Sequence, residues 1–262
     1  MSDSEQPLPG GVRHGRTVRL GETVRKPSGP WTPTIQVLLA HLVAKGLPVP
    51  RPLGVDEQGR EILSYIEGRA SLYPWPEILK TQQGIACVGR TLRMFHDAIA
   101  GFVPPSPCIW QDFENRPPAY GEIVCHGDFG PYNLIWSESE IVGVVDWEFA
   151  RPAVPIRDLA WAAMTCVPLR RDEGDPNLVF RPTLAEARLR LIRLIESYGR
   201  VDRAAVIDAC IALRDEMTSK MVSRGPLGIE PWKTLLDKGM PEGNALDNAW
   251  LVANRDFLLH DG

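Results

Sequence analysis

The chain predicts an α+β fold, with short strands over its first 67 residues and helices dominating the remainder. Three observations carry that expectation. Apolar alternation around Gly21-Glu22, and again on either side of Asp56 to Arg60, describes two hairpins near the start. Two apolar runs, Leu134 to Trp136 and Ile141 to Val145, flank the polar Ser137 to Glu140 and describe a third. Apolar stripes stepping by three and four residues mark helices over 76–102, 184–198, 203–222 and 244–259.

Taken in order, residues 1–11 are polar and acidic at their start, and are expected to be disordered. They carry no signal-peptide pattern. From Arg16 to Lys26, Val18, Leu20 and Val24 face one way, as a half-buried hairpin requires. Gly10-Gly-Val-Arg-His-Gly15 bears glycines without forming a clear phosphate-cradling loop. Pro33 to Lys45 reads as a helix, with Ile35, Leu38, Leu39 and Leu42 on one face. Residues 46–54 lead into a strand, Asp56 to Arg60 turn, and Glu61 to Ile66 return. Gly68 breaks the chain, giving expected domains of 1–67 and 68–262.

The stripe Ile85, Val88, Leu92, Phe95, Ile99 and Phe102 makes 76–102 one long core helix. His96-Asp97 near its end are read as ordinary helix residues rather than a metal pair. Prolines 104, 105, 107, 117 and 118 make 103–120 a loop, and Arg170 to Pro176 form another before the C-terminal helices.

Composition excludes several classes. A formal charge of −4, with no basic run of five, gives no footprint for nucleic acid. The longest apolar stretches, such as Ile35 to Ala44, are too short to span a bilayer. Five cysteines (Cys87, Cys108, Cys125, Cys166, Cys210) lie far apart with no Cys-x-x-Cys pair, which points to reduced thiols in a cytoplasm. Nothing in the sequence fixes an oligomeric state.

The chemistry concentrates in Ile123 to Ala162. A hairpin returns the chain to its start, so Asp128 and Asn133 before its first strand become neighbours of Asp146 after its second. Each alone is ordinary turn or cap chemistry. Together, in order and with apolar strands between, two carboxylates and an amide form a hard-oxygen set suited to Mg²⁺ and phosphates. Phosphoryl transfer asks the protein mainly to position such groups.

His126-Gly-Asp128, four residues, Asn133, then a strand ending in Asp146-Trp147, resembles the aminoglycoside phosphotransferase and choline kinase family. That family has a two-lobed, protein-kinase-like fold and phosphorylates small molecules. The resemblance implies a small β-rich nucleotide-covering lobe at 1–67 and a larger helical lobe at 68–262. It implies Asp128 as the base that orients the acceptor hydroxyl, and Asn133 and Asp146 as Mg²⁺ ligands. It gives His126 and Asp158 structural roles in bracing the loop. ATP or GTP would be the donor, with Lys26 or Arg25 meeting its phosphates. Ser64, Tyr65 and Ile66 would lie at the hinge that reads the base through backbone groups. A small hydroxylated molecule would be the acceptor, with no nucleic acid or membrane partner.

Two departures bear on these roles. Gly127 stands where protein kinases carry Arg, and Trp147-Glu148 where they carry Phe-Gly. The helix expected to bear the acidic partner of Lys26 has no acidic residue from Thr34 to Lys45. The alternative reading is therefore a nucleotide- or ligand-binding module of the same fold that has lost turnover. In the family the C-terminal helices build the acceptor pocket. Residues 166–262 carry 15 acidic and 14 basic side chains, too balanced for a surface attracting polycationic aminoglycosides. Tyr198, Trp232 and Trp250 are read as packing residues before pocket residues.

Overall fold

Val18, Leu20 and Val24 do form the predicted hairpin. In the computed structural model, which describes residues 4–8, 17–71, 75–171 and 180–260, it belongs to a five-stranded antiparallel sheet. The strands are β1 (Gln6–Pro7), β2 (Val18–Leu20), β3 (Thr23–Pro27), β4 (Pro52–Val55) and β5 (Arg60–Ser64), in the order β1-β2-β3-β5-β4. Part of the lead expected to be disordered is thus ordered. Gln6 and Pro7 pair with Arg19 and Val18, and Glu5 meets Arg60 at 2.8 Å. The glycine cluster at 10–15, Arg16 and residues 172–176 of the charged loop lie outside the described residues.

Between β3 and β4 runs α1 (Thr32–Ala44), burying Ile35, Leu38, Leu39 and Leu42 as their spacing requires. Its Thr34 hydroxyl accepts from Ile109 N at 2.9 Å, which ties down the proline-rich 103–120 segment. That segment is anchored within itself by buried Trp110, whose Nε1 donates to Arg116 O at 2.8 Å.

The continuous helix expected over 76–102 is interrupted. A short 3₁₀ turn (Glu77–Lys80) is followed by extended Thr81 and then α2 (Gln82–Ile99). Thr81 Oγ1 accepts from Gly84 N at 3.1 Å, so it caps a new helix instead of continuing the old one. The apolar stripe hid this break because Leu79 before it is buried as Ile85 and Val88 after it are.

The central hairpin forms a small sheet from β6 (Arg69–Ala70), β8 (Leu134–Ser137) and β9 (Glu140–Val144), in the order β6-β8-β9. Ahead of it, β7 (Ile123–Cys125) pairs antiparallel with β10 (Arg151–Ala153). Helices then dominate: α3 (Ile156–Thr165), α4 (Leu184–Tyr198), α5 (Arg203–Arg224), α6 (Trp232–Asp237), α7 (Met240–Ala253) and α8 (Arg255–Leu259). A reciprocal Thr183–Glu186 box fixes the start of α4 where the periodicity had it. The helix expected at 244–259 begins earlier, with Pro241 in its first turn, and divides at Asn254.

The chain groups into two compact units. One joins Met1–Leu72 with Thr91–Asp158, the other Tyr73–Arg90 with Leu159–Gly262. These units do not divide the chain at 67/68, because the β8–β9 hairpin groups with the N-terminal strands. The first unit holds all three sheets. The second packs Leu191, Leu194, Val206, Ile207 and Leu213 into an apolar interior. No helix among the described residues is long and apolar enough to cross a membrane.

Candidate active site

The loop 126–133 leaves β7, passes Asp128 and enters β8. β9 returns the chain to Asp146, and Val145 N donates to Asn133 O at 3.0 Å, closing the hairpin's mouth. Gly127 has φ +80, and a Cβ there would lie 2.2 Å from Phe149 O, so only glycine fits. Asp146 itself sits at φ 62, ψ 61, a left-handed geometry that costs a non-glycine residue about 1 kcal/mol or more and recurs at functional sites.

Asp158 braces this loop. Its carboxylate accepts from His126 N at 2.7 Å, Gly127 N at 2.9 Å and His96 Nε2 at 3.2 Å. Burial opposes its charge, but these donors outweigh it and hold its pKa below the usual range. His96, Cys125 and Asp158 lie close enough to hold a metal ion. With both carboxylate oxygens already serving the loop, the trio is a brace. Burial raises the Cys125 thiol well above its ordinary pKa.

His126 links the loop before β8 to the end of β9. Its Nδ1 accepts from Asp128 N at 3.2 Å, so the ring proton sits on Nε2, facing Val145 O at 3.0 Å. Burial lowers its pKa, which keeps the ring neutral despite Asp158 nearby. Trp147 packs on it at 4.5 Å between ring centroids and on Phe95 at 5.3 Å.

Asn133 Nδ2 donates to Asp128 O at 2.9 Å and Asp128 Oδ2 at 3.1 Å. The Tyr132 hydroxyl donates to Asp128 Oδ1 at 2.5 Å. Part of the Asp128 carboxyl remains accessible, yet burial together with the charges of Asp146 and Glu148 outweighs these donors and raises it to about 7.

Lys26 comes to this site from β3. Its Nζ lies 2.6 Å from Asp146 Oδ1 and 3.5 Å from Glu148 Oε2. Burial disfavours its charge, but the two carboxylates prevail and raise its pKa. Arg25, pointing to the other face by the strand's period of two, pairs with Asp56 at 3.6 Å. Lys26 lines a small cleft with Trp31, Glu61, Leu63, Asp146 and Glu148.

Ser64, Tyr65 and Ile66 stand where β5 ends. Ser64 Oγ accepts from Arg51 N at 2.9 Å, Arg19 stacks on Tyr65 at 3.7 Å, and Ile66 packs over Gly143. None of the three lines the cleft with Lys26. In the second unit Tyr198 and Trp232 are buried, the latter beneath Lys220. Sequence reasoning missed Tyr132, Glu148 and Glu61. Glu148 was visible only as a departure from Phe-Gly, and Glu61 required the register between β3 and β5.

The pattern of the phosphotransferase enzyme family matches residues 104–192, spanning the β8–β9 hairpin. A trifolitoxin immunity protein from Rhizobium leguminosarum bv. trifolii is 31% identical over 262 residues, 94% of this chain and 92% of that protein. Among solved structures, a choline/ethanolamine kinase family protein from Mesorhizobium loti superposes with a TM-score of 0.62 at 16% identity, covering 95% of this chain and 88% of that one. Amicoumacin kinase hAmiN gives 0.64 at 10% identity over 94% and 89%. The GDP complex of aminoglycoside 2'-phosphotransferase-IIIa gives 0.59 at 13% identity over 92% of each chain. The structural likenesses show a two-lobed, α+β kinase-like fold. With the full-length relative and the family pattern across Asp128, Asn133 and Asp146, the chain belongs to the phosphotransferase enzyme family.

Proposed function

We propose that this chain moves the γ-phosphate of ATP or GTP to a hydroxyl of a small molecule, with Mg²⁺ as the cation. The observation that carries the reading is a pair of contacts at one hairpin mouth, Asn133 to Asp128 at 2.9 and 3.1 Å and Lys26 to Asp146 at 2.6 Å, with Val145 N bonded to Asn133 O at 3.0 Å between them. Asp128, raised to about 7, suits a base that takes the acceptor's proton near neutral pH. The hard oxygens of Asp146 and Asn133 fit Mg²⁺, which when bound would offset phosphate charge. Lys26 complements the phosphates as a point charge. Residues 1–67 act as the nucleotide-covering lobe and 68–262 as the catalytic and acceptor lobe, with Ser64 to Ile66 as the hinge. Five free cysteines accord with a reducing cytoplasm.

The acceptor we infer is an antimicrobial compound bearing a free hydroxyl. Support comes from the relative named for trifolitoxin immunity and from two fold neighbours, an amicoumacin kinase and an aminoglycoside phosphotransferase. The balanced charge of residues 166–262 argues against polycationic acceptors.

The test is label transfer from γ-labelled ATP or GTP, with Mg²⁺, to a panel of trifolitoxin, amicoumacin and aminoglycosides. The expected result is label on at least one compound, lost with Asp128→Asn. The absence of both transfer and nucleotide hydrolysis would reject the reading. A second reading, protection by binding without turnover, is favoured by the absence of any acid on α1. Cells expressing Asp128→Asn that remain protected against the compound would establish it.

A further inference from the structure

Glu61 is buried at 4% exposure, and its Oε1 has no hydrogen-bond partner among the described residues. Such an atom is costly, and native structures rarely tolerate one without a use. Gln36 of α1 hydrogen-bonds the same carboxyl, and Gln36 Nε2 also donates to Gly54 O at 3.1 Å. The acceptor capacity left over is the feature to explain.

The sheet register supplies the explanation. Lys26 of β3 lies directly opposite Glu61 of β5. Opposed residues of an antiparallel pair project from the same face, and both side chains line the one cleft. Lys26 is bonded instead to Asp146 at 2.6 Å, with Glu148 at 3.5 Å. Two carboxylates therefore hold the ammonium within 4 Å, and a third, Glu61, faces it across the register with an unused oxygen. If Asp146 serves a metal, Lys26 keeps Glu148 at 3.5 Å on the hairpin side, and the acid facing it from the sheet is Glu61, since α1 offers only Gln36.

We propose that Glu61 is the positioning residue for Lys26, a sheet-borne carboxylate that holds the ammonium for the nucleotide phosphates once Asp146 engages the cation. It takes the place of the acid that α1 lacks. This rests on reading the cleft as a nucleotide site. Glu61 touches neither substrate nor metal; it acts through Lys26.

The experiment measures calorimetric binding of Mg·ATP and Mg·GTP to the full chain as wild type, Glu61→Gln, Lys26→Met and the double variant, with melting temperatures of each free protein. Glu61→Gln is expected to melt at or above wild type, since it removes a buried charge. It should nonetheless bind nucleotide about five- to tenfold more weakly, as loss of a charge-assisted contact does. In the Lys26→Met background it should cause no further loss, because the two act as a unit. Unchanged affinity in Glu61→Gln would overturn the proposal. So would an equal loss with and without Lys26, or a fall in melting temperature with affinity intact. Glu61→Asp, which keeps the charge but withdraws it by one methylene, is judged by the same comparison should Glu61→Gln not fold. Absence of nucleotide binding by the wild type would instead reject the nucleotide site itself, a distinct outcome.

Discussion

Lys26 Nζ and Asp146 Oδ1 lie 2.6 Å apart although 120 residues separate them in sequence. This bond joins strand β3 to the exit of the β8–β9 hairpin. It holds the site's cation against the carboxylate that the proposed chemistry assigns to the metal.

Removing the lysine leaves Asp146, Glu148 and Glu61 to repel one another. Lys26→Met is expected to cost about 1–2 kcal/mol, discounted because the Asp146 side chain is 38% exposed. Mg²⁺ alone should raise the melting temperature of this variant more than that of the wild type, since a divalent cation replaces the lost charge. Equal responses would mean that the three carboxylates do not act together. Urea unfolding and thermal melts with Mg²⁺ make the comparison.

Two glycine substitutions separate backbone strain from steric exclusion. Gly127→Ala would set a Cβ 2.2 Å from Phe149 O, whereas Gly101→Ala, at a similar φ of +88, meets nothing within 4 Å. The first should cost roughly 3 kcal/mol or more and the second about 1 kcal/mol. Chemical denaturation distinguishes them. Similar costs would mean that the close approach to Phe149 is relieved by movement of the loop.

Asp158 supplies the pH dependence. Its folded pKa lies below its unfolded value, so its stabilisation is present above about pH 4 and is lost as pH falls through the folded pKa. The stability gap between wild type and Asp158→Asn should therefore be full at pH 7 and shrink below about pH 4. A gap constant from pH 7 to pH 3 would contradict the assigned charge.

In the second unit Arg190 is 1% exposed and donates to Leu79 O, Lys80 O and Cys166 O at 3.0, 2.8 and 2.7 Å. Burial lowers it to about 10. Arg190→Met should cost about 2–4 kcal/mol, because it strands carbonyls that the guanidinium satisfied. Arg190→Lys should recover only part of this, since a point charge cannot reproduce the planar fork. Full recovery would show that charge, rather than geometry, is what the carbonyls require.

Much of this arrangement was legible because it is written in local patterns. Asp128, Asn133 and Asp146 are joined by a hairpin whose apolar runs fix its ends within a residue. The start of α4 at Leu184 is fixed by a capping box. What escaped depends on contacts distant in sequence or on backbone detail. Periodicity ran through Thr81 because Leu79 and Ile85 are both buried, although Thr81 between them is extended. Glu61 looked like one more strand residue until the register set it opposite Lys26. Tyr132 had no signal, since its bond to Asp128 follows from the 3₁₀ turn Pro131–Asn133.

The most direct test of the central claim is a thermal-shift titration of wild type and Asp146→Ala with ATP and GTP, each with and without Mg²⁺. Binding to the native state stabilises it by mass action, by about 2.7 kcal/mol at one hundred times Kd. The account predicts a Mg²⁺-dependent rise in melting temperature with at least one nucleotide, absent in Asp146→Ala. No rise with either nucleotide, or a rise that survives loss of Asp146, would contradict it.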